Sequence, residues 1–144
     1  MAKPKIRAIA LCVFRHGDRI LVHKGYDRVK DQAFYRPLGG GIDFGESSQE
    51  TAIREIREEL GVESEQMMLL GVIENRFEFN GKPGHEIVFI YDGVFIDKTL
   101  YDTPVLVGHE GDQSFDAIWI DLKQVAQETI PLYPPGLLAL LTSG

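Results

Sequence analysis

Cysteine is almost missing from this chain: Cys12 is the single thiol in 144 residues. It cannot close an internal disulfide and has no companions for a cysteine-rich zinc site, so the sequence suits a reducing compartment such as the cytoplasm. Long hydrophobic runs are missing too. Ala8 to Phe14 is apolar but gives way to Arg15, His16, Gly17 and Asp18, well short of the roughly 20 residues of a membrane-spanning helix and without the small-residue site of a cleaved signal. Positive charge is scarce. Fifteen Lys and Arg stand against 22 Asp and Glu, a net charge of −7. That balance opposes attraction to nucleic-acid phosphates and anionic lipid, and no basic stripe offsets it. A phosphate-bearing ligand would need a cation or a few placed Arg and Lys.

What is present is ordinary globular material, 44% hydrophobic and 26% charged, enough for one core. No repeat, low-complexity tract or long linker divides it, so residues 1–144 are expected to form a single domain. Ile6 to Phe14 and Arg19 to His23 read as strands joined by a hairpin turn at His16-Gly17-Asp18. After a polar loop from Tyr26 to Gln32, Phe34 to Leu38 reads as extended, because Pro37 biases Arg36 away from helix. Met67 to Glu74, Arg76 to Phe79, Glu86 to Ile96 and Phe115 to Ile120 are further strands, with a break at Asn80-Gly81-Lys82-Pro83-Gly84. A short helix is expected from Asp121, and another from Gly136 to Leu141 after Pro134-Pro135. Strands on both sides of a helix predict an α/β fold, a mixed sheet with helices on its faces.

The clearest helix runs from about Ser48 to Leu60. Ser47 and Glu50 form a capping-box pattern, and Gly61 follows the last apolar residue. At about 100° per residue, Glu55, Glu58 and Glu59 fall within one arc of about 100°. Ala52, Ile53, Ile56 and Leu60 make an apolar stripe elsewhere on the same helix. Such an acidic face is commonly just solvated. Here, however, Glu55 and Glu59 repel at i, i+4 unless a cation or Arg compensates, and Arg54 and Arg57 are close by. The segment just before the helix, Gly39-Gly40-Gly41-Ile42-Asp43-Phe44-Gly45-Glu46, permits close backbone approach. Carboxylates with a carbonyl form a hard oxygen set that suits Mg²⁺ or Mn²⁺.

These residues resemble a known family. Gly40, five residues, Glu46, seven residues, Arg54-Glu55-Ile56, one residue, Glu58-Glu59, one residue and Gly61-Val62 reproduce a complete Nudix box, which covers 23 of the 144 positions. A chance match is on the order of one in ten million. The resemblance implies a Nudix α/β/α sandwich and hydrolysis of a small nucleoside diphosphate derivative, by attack of water on phosphorus with Mg²⁺, or Mn²⁺ as a substitute. It also implies Glu55, Glu58 and Glu59 as metal ligands, with the Gly40 carbonyl as an extra one. Glu46 and Arg54 would brace the loop against the helix.

Outside the box, Glu110 resembles a late metal-ligating or catalytic Glu of MutT-type members, against the simpler reading of a polar loop residue in Gly108-His109-Glu110-Gly111-Asp112. His85-Glu86 is a second candidate, against a solvated pair flanking a turn. For substrate, Tyr35 is a candidate to stack a base and Arg36 to hold a phosphate. Alternation along the strand turns either Phe34 or Tyr35 inward. Arg76 with Phe77 is a further basic and aromatic pair, and Tyr133 could edge a pocket or anchor its loop. The alternative is a Nudix-fold module that binds or senses a nucleotide without turnover, usually marked by a damaged box. An apolar stretch, Val88 to Phe95 or Leu137 to Leu141, leaves room for a homodimer.

Overall fold

The structure, a computed structural model, describes residues 3–143. Eight strands, three α-helices and one 3-10 helix (Lys98–Asp102) make up the described residues: β1 Ile6–His16, β2 Arg19–Asp27, β3 Gln32–Arg36, β4 Leu38–Gly41, α1 Ser48–Leu60, β5 Ser64–Phe79, β6 Lys82–Phe95, β7 Val105–Glu110, β8 Gln113–Asp121, α2 Leu122–Gln127 and α3 Leu137–Thr142. The main strand order is β5-β6-β1-β2-β8-β7, with β3 on β2 and β4 on β1. β1 runs parallel to β6 from Ile6 opposite His85 to Phe14 opposite Gly93. Along its other edge β1 holds β4 through Ile9 to Cys12, and then turns into β2 at Arg15 and His16. The remaining named pairings are antiparallel.

Strand alternation makes β1 the centre of a sandwich. Ile9, Leu11 and Val13 belong to one apolar cluster, together with Val125, Leu137 and Leu141 from α2 and α3. Ala10, Cys12 and Phe14 belong to another, with Ala52 and Ile56 from α1 and Leu38 from β4. The period-2 geometry of a strand sends successive side chains to opposite faces, so helices cover both. The predicted α/β/α sandwich with a mixed sheet is the observed architecture.

The structure departs from expectation in several places. β5 is one strand of 16 residues rather than two, absorbing its irregularities as register shifts between Glu65 and Met68 and between Leu69 and Gly71. The β5–β6 turn is tighter than predicted, with Asn80 and Gly81 at φ 52° and 80° and Lys82 to Gly84 already paired. Val105 to Glu110 is a strand, β7, where a polar loop was expected over Gly108 to Asp112. Finally, Val88 to Phe95 lies on an interior strand between β5 and β1. Its buried side chains, like Leu137 and Leu141 of α3, serve the core. No helix among the described residues is long and apolar enough to cross a membrane.

Ile56 carries α1 onto the sheet, fully buried beside Ala52. Ile56→Ala should lower unfolding free energy by about 2–5 kcal/mol through lost burial and a residual cavity. Urea denaturation would measure it, and a loss below about 0.5 kcal/mol would contradict the packing described.

Candidate active site

Helix α1 is fixed at both ends by short-range chemistry. Ser47 caps the helix: the Glu50 N–H donates to its Oγ at 3.1 Å, and the Ser47 N–H donates to Glu50 Oε1 at 3.0 Å. At the far end Gly61 takes φ 69° and its N–H donates to the Arg57 carbonyl at 2.9 Å. The predicted capping box and left-handed stop are both present.

Arg54 organises what lies between. Its Nε donates to Glu46 Oε2 at 2.7 Å and its Nη2 to Glu46 Oε1 at 2.9 Å, a bidentate pair. Nη2 also donates to the Gly41 carbonyl at 3.1 Å, while Nη1 reaches Glu55 Oε1 at 3.0 Å and Glu58 Oε2 at 3.2 Å. Glu46 receives the Thr51 hydroxyl at 2.6 Å as well. The Arg54 guanidinium, then Thr51, hold the Glu46 carboxyl down at about 2. Arg54 thus ties Glu46 and Gly41 of the preceding loop to the helix.

The expectation that Glu55, Glu58 and Glu59 surround one point meets a difference. Among the described residues, no three acidic or imidazole side chains stand together as a ready metal cage. The guanidinium is the reason: as the nearest cation it draws Glu55 and Glu58 to itself, and Glu58 keeps 58% of its side chain exposed. Glu59 is turned elsewhere and is 7% exposed.

Glu59 is the electrostatic anomaly. Its Oε1 is buried without a hydrogen-bond partner. Burial, then the charges of Glu55 and Glu110, push its carboxyl up to about 8, against the opposite pull of Arg36 and the Gly39 amide. Glu110, at the end of β7, and Arg36, at the end of β3, thus both act on Glu59. Beside them, a Cβ on Gly40 would lie 2.5 Å from Glu55 Cδ, so the Glu55 carboxylate rests directly on the Gly40 backbone and only glycine allows it. Hard oxygen donors, an orphaned buried carboxylate oxygen and a glycine cradle are together the features a divalent cation fits.

A cavity of about 510 Å³ lies alongside, lined from β1, β3, β5, β6 and the segment before α3. The α1 glutamates are not in its walls. Arg36 and Arg7 connect the two regions, since both line the cavity, Arg36 acts on Glu59, and Arg7 Nη2 lies 3.2 Å from where a Gly41 Cβ would be. Arg36 and Arg76 line the cavity. Tyr35 does not: it packs against the α2–α3 cluster, and its backbone is tied to Pro131 and Tyr133. The neighbouring residue Phe34 lines the cavity instead, its ring 5.0 Å from that of Tyr133 and 5.9 Å from that of Phe79. Sequence reasoning missed Arg7 and Asn75 in this lining. Arg7 was legible in principle, being in phase with Ile9 and Leu11. His23 stands opposite Arg36 on β2; burial, then Arg36, lower its imidazole to about 4.

A family model for the NUDIX domain matches residues 4–141. MutT4 of Mycobacterium tuberculosis (strain CDC 1551 / Oshkosh) is 29% identical over 86 residues, 60% of this chain, and the chain spans only 32% of that relative's length. The crystal structure of a MutT NUDIX hydrolase from Burkholderia pseudomallei superposes with a TM-score of 0.68 at 22% identity, covering 97% of this chain and 99% of that one. A NUDIX hydrolase from Nitrosomonas europaea gives 0.64 at 18% identity, covering 95% and 86%. At these identities the structural likeness speaks for the fold.

The Glu59 environment predicts a pH signature. A carboxyl raised from 4.5 to about 8 in the folded chain contributes stability fully present below about 4.5 and lost as pH rises through about 8. Glu46, lowered from 4.5 to about 2, contributes stability that is present above about 4.5 and lost as pH falls towards 2. Glu59→Gln should therefore remove much of the decline between pH 5 and 8 and leave the acid limb. Urea midpoints across pH would check this; parallel curves for parent and variant would contradict the assigned environment.

Proposed function

Because this chain belongs to the NUDIX domain family, we propose that it is a hydrolase of small nucleoside diphosphate derivatives, cutting the pyrophosphate linkage with a divalent cation, Mg²⁺ or Mn²⁺. The observation that carries the reading is the buried, unpartnered Glu59 oxygen, with Glu55 and Glu110 acting on the same carboxyl. A buried carboxylate under the influence of other carboxylates is destabilised unless a cation joins them. Glu55, Glu58, Glu59, the Gly40 carbonyl and Glu110 are the groups that would hold it. Such a cation offsets phosphate charge, orients the diphosphate and makes a bound water more acidic.

The rest falls to the chain's own residues. The cavity receives the nucleoside, with Phe34, Phe79 and Tyr133 as its aromatic surface. Arg36 lies between this cavity and the helix acids and is assigned to a phosphate, with Arg76 and Arg7 at the cavity wall. Together they supply the local positive charge that a chain of net charge −7 needs to admit an anion. Attack of water on phosphorus releases a nucleoside monophosphate and a second phosphate-bearing product. The water's proton is assigned to a carboxylate oxygen of Glu110, on the exposed end of β7. Glu46 and Arg54 position the loop and touch no reacting atom. Cys12 is a buried free thiol, in keeping with a cytoplasmic setting.

A product-resolved screen of nucleoside diphosphate derivatives with Mg²⁺ and Mn²⁺ tests this directly. Tight binding of nucleotides with no product would favour the sensing module over the enzyme. Glu58→Gln should lower turnover by about a hundredfold or more, while stability moves by less than about 0.5 kcal/mol, as is usual at an exposed position. Undiminished kcat in that variant would remove Glu58 from the site. Glu110→Gln should likewise depress turnover more than the melting temperature.

A further inference from the structure

The cavity contains a polar row in which the hydrolysis reading gives a task to Arg7 alone. β1, β6 and β5 bring Arg7, Glu86 and Asn75 into line across the sheet, with Arg7 opposite Glu86 and Glu86 opposite Asn75. Directly opposed residues share a face, with Cβ atoms about 4.5–5.5 Å apart, and all of them line the cavity. Only 14% of the Glu86 side chain is exposed, and the nearest cationic atom, Arg7 Nη1, stands 3.8 Å from Oε2, beyond hydrogen-bond reach. The neighbouring His85 is engaged with Glu74 instead, at 2.8 Å. Glu86 thus faces the cavity with acceptor capacity unused, next to the amide of Asn75.

An ionised carboxylate only accepts, and its paired oxygens match a ligand edge carrying adjacent donors. The Asn75 amide adds a donor beside it. The rings of Phe34 and Tyr133, tilted by 34°, and of Phe79 supply the apolar surface for a planar base. Guanine completes this pattern: N1–H and the 2-amino group donate to Glu86, and O6 accepts from Asn75 Nδ2. Adenine sets the lone pair of its N1 against the carboxylate and leaves an acceptor without a donor, which a site built for hydrogen bonds rejects.

We propose that Glu86 and Asn75 read the base in this cavity and select guanine nucleotides over adenine nucleotides. The inference rests on the reading of the cavity as a nucleotide site. A ribose diol also carries adjacent donors, and the experiment separates that source from the base.

Binding of GMP, IMP, AMP and 2′-deoxy-GMP without divalent cation is measured by calorimetry on the full chain. GMP should bind about tenfold or more tighter than AMP, as a good bidentate base contact provides. IMP, which lacks the 2-amino donor, should fall between them, and 2′-deoxy-GMP should equal GMP. Glu86→Gln should shrink the GMP-to-AMP ratio by about tenfold, and Asn75→Ala should shrink it too; a melting curve confirms that each variant folds. Should Glu86→Gln not fold, the nucleotide series on the parent and Asn75→Ala decide. Equal affinity for AMP and GMP, no binding of either, an equal loss for both in Glu86→Gln, or a drop for 2′-deoxy-GMP as large as that for IMP would each overturn the proposal. Guanine preference without hydrolysis of any nucleotide would reject the enzyme reading alone; hydrolysis without base preference would reject this one alone.

Discussion

The structure around the candidate site depends on one guanidinium. Arg54 binds Glu46 through both carboxylate oxygens, takes the Gly41 carbonyl, and reaches Glu55 and Glu58. A planar fork of fixed donors can do this where a lysine ammonium could not. Its consequence is mechanical: the loop after β4 cannot leave the start of α1 while that pair stands. A second consequence is electrostatic. Acids on one side of a helix repel at i, i+4, and a permanently charged arginine among them lets the helix carry them.

Glu59 escapes that compensation, and this is what separates a merely acidic helix from a site. A surface glutamate shares its charge with water. Glu59 is withdrawn from water, lies within the influence of Glu55 and Glu110, and lacks a partner at Oε1. A group in this position is neutral or is met by a cation, because a buried unpaired carboxylate is too costly to keep ionised. With Gly40 lacking a side chain, the Glu55 carboxylate can lie directly on the backbone beside Glu59's helix turn. Perturbed acids of this sort concentrate at functional sites.

How far the sequence disclosed this follows from the range of the forces involved. The helix with its Ser47 cap and Gly61 stop is set by neighbours within a few residues, and it was legible residue by residue. The acidic arc followed from helical periodicity alone. What escaped depends on contacts between distant segments. β7 opens with the apolar Val105 to Val107 but ends in the turn-like Gly108-His109-Glu110, which becomes strand because β8 pairs with it. The choice between Phe34 and Tyr35 is a matter of register, which β2 and the Pro131–Tyr133 segment fix from outside the strand. The capture of Glu55 and Glu58 by Arg54 was half visible: the spacing shows that arginine is near, but not which partners it takes.

The relation between cavity and carboxylates follows from the way β1 is shared. Its Ala10 is paired with Gly40, beneath Glu55, while Ile9 and Leu11 belong to the opposite face and line the cavity. The same strand therefore sets an acidic region on one side and an aromatic cavity on the other. A side chain joining them must be long and must lie at the boundary of the sheets. Arg36 meets both demands: it ends β3 just before Pro37, where the chain passes from its pairing with β2 to its pairing with β1. An acidic residue there would add to the repulsion on Glu59, and a short one would not span the gap. A cation at this point lowers the Glu59 carboxyl and faces the cavity at once, so the charge that makes the buried acid tolerable is also the charge a bound phosphate would meet.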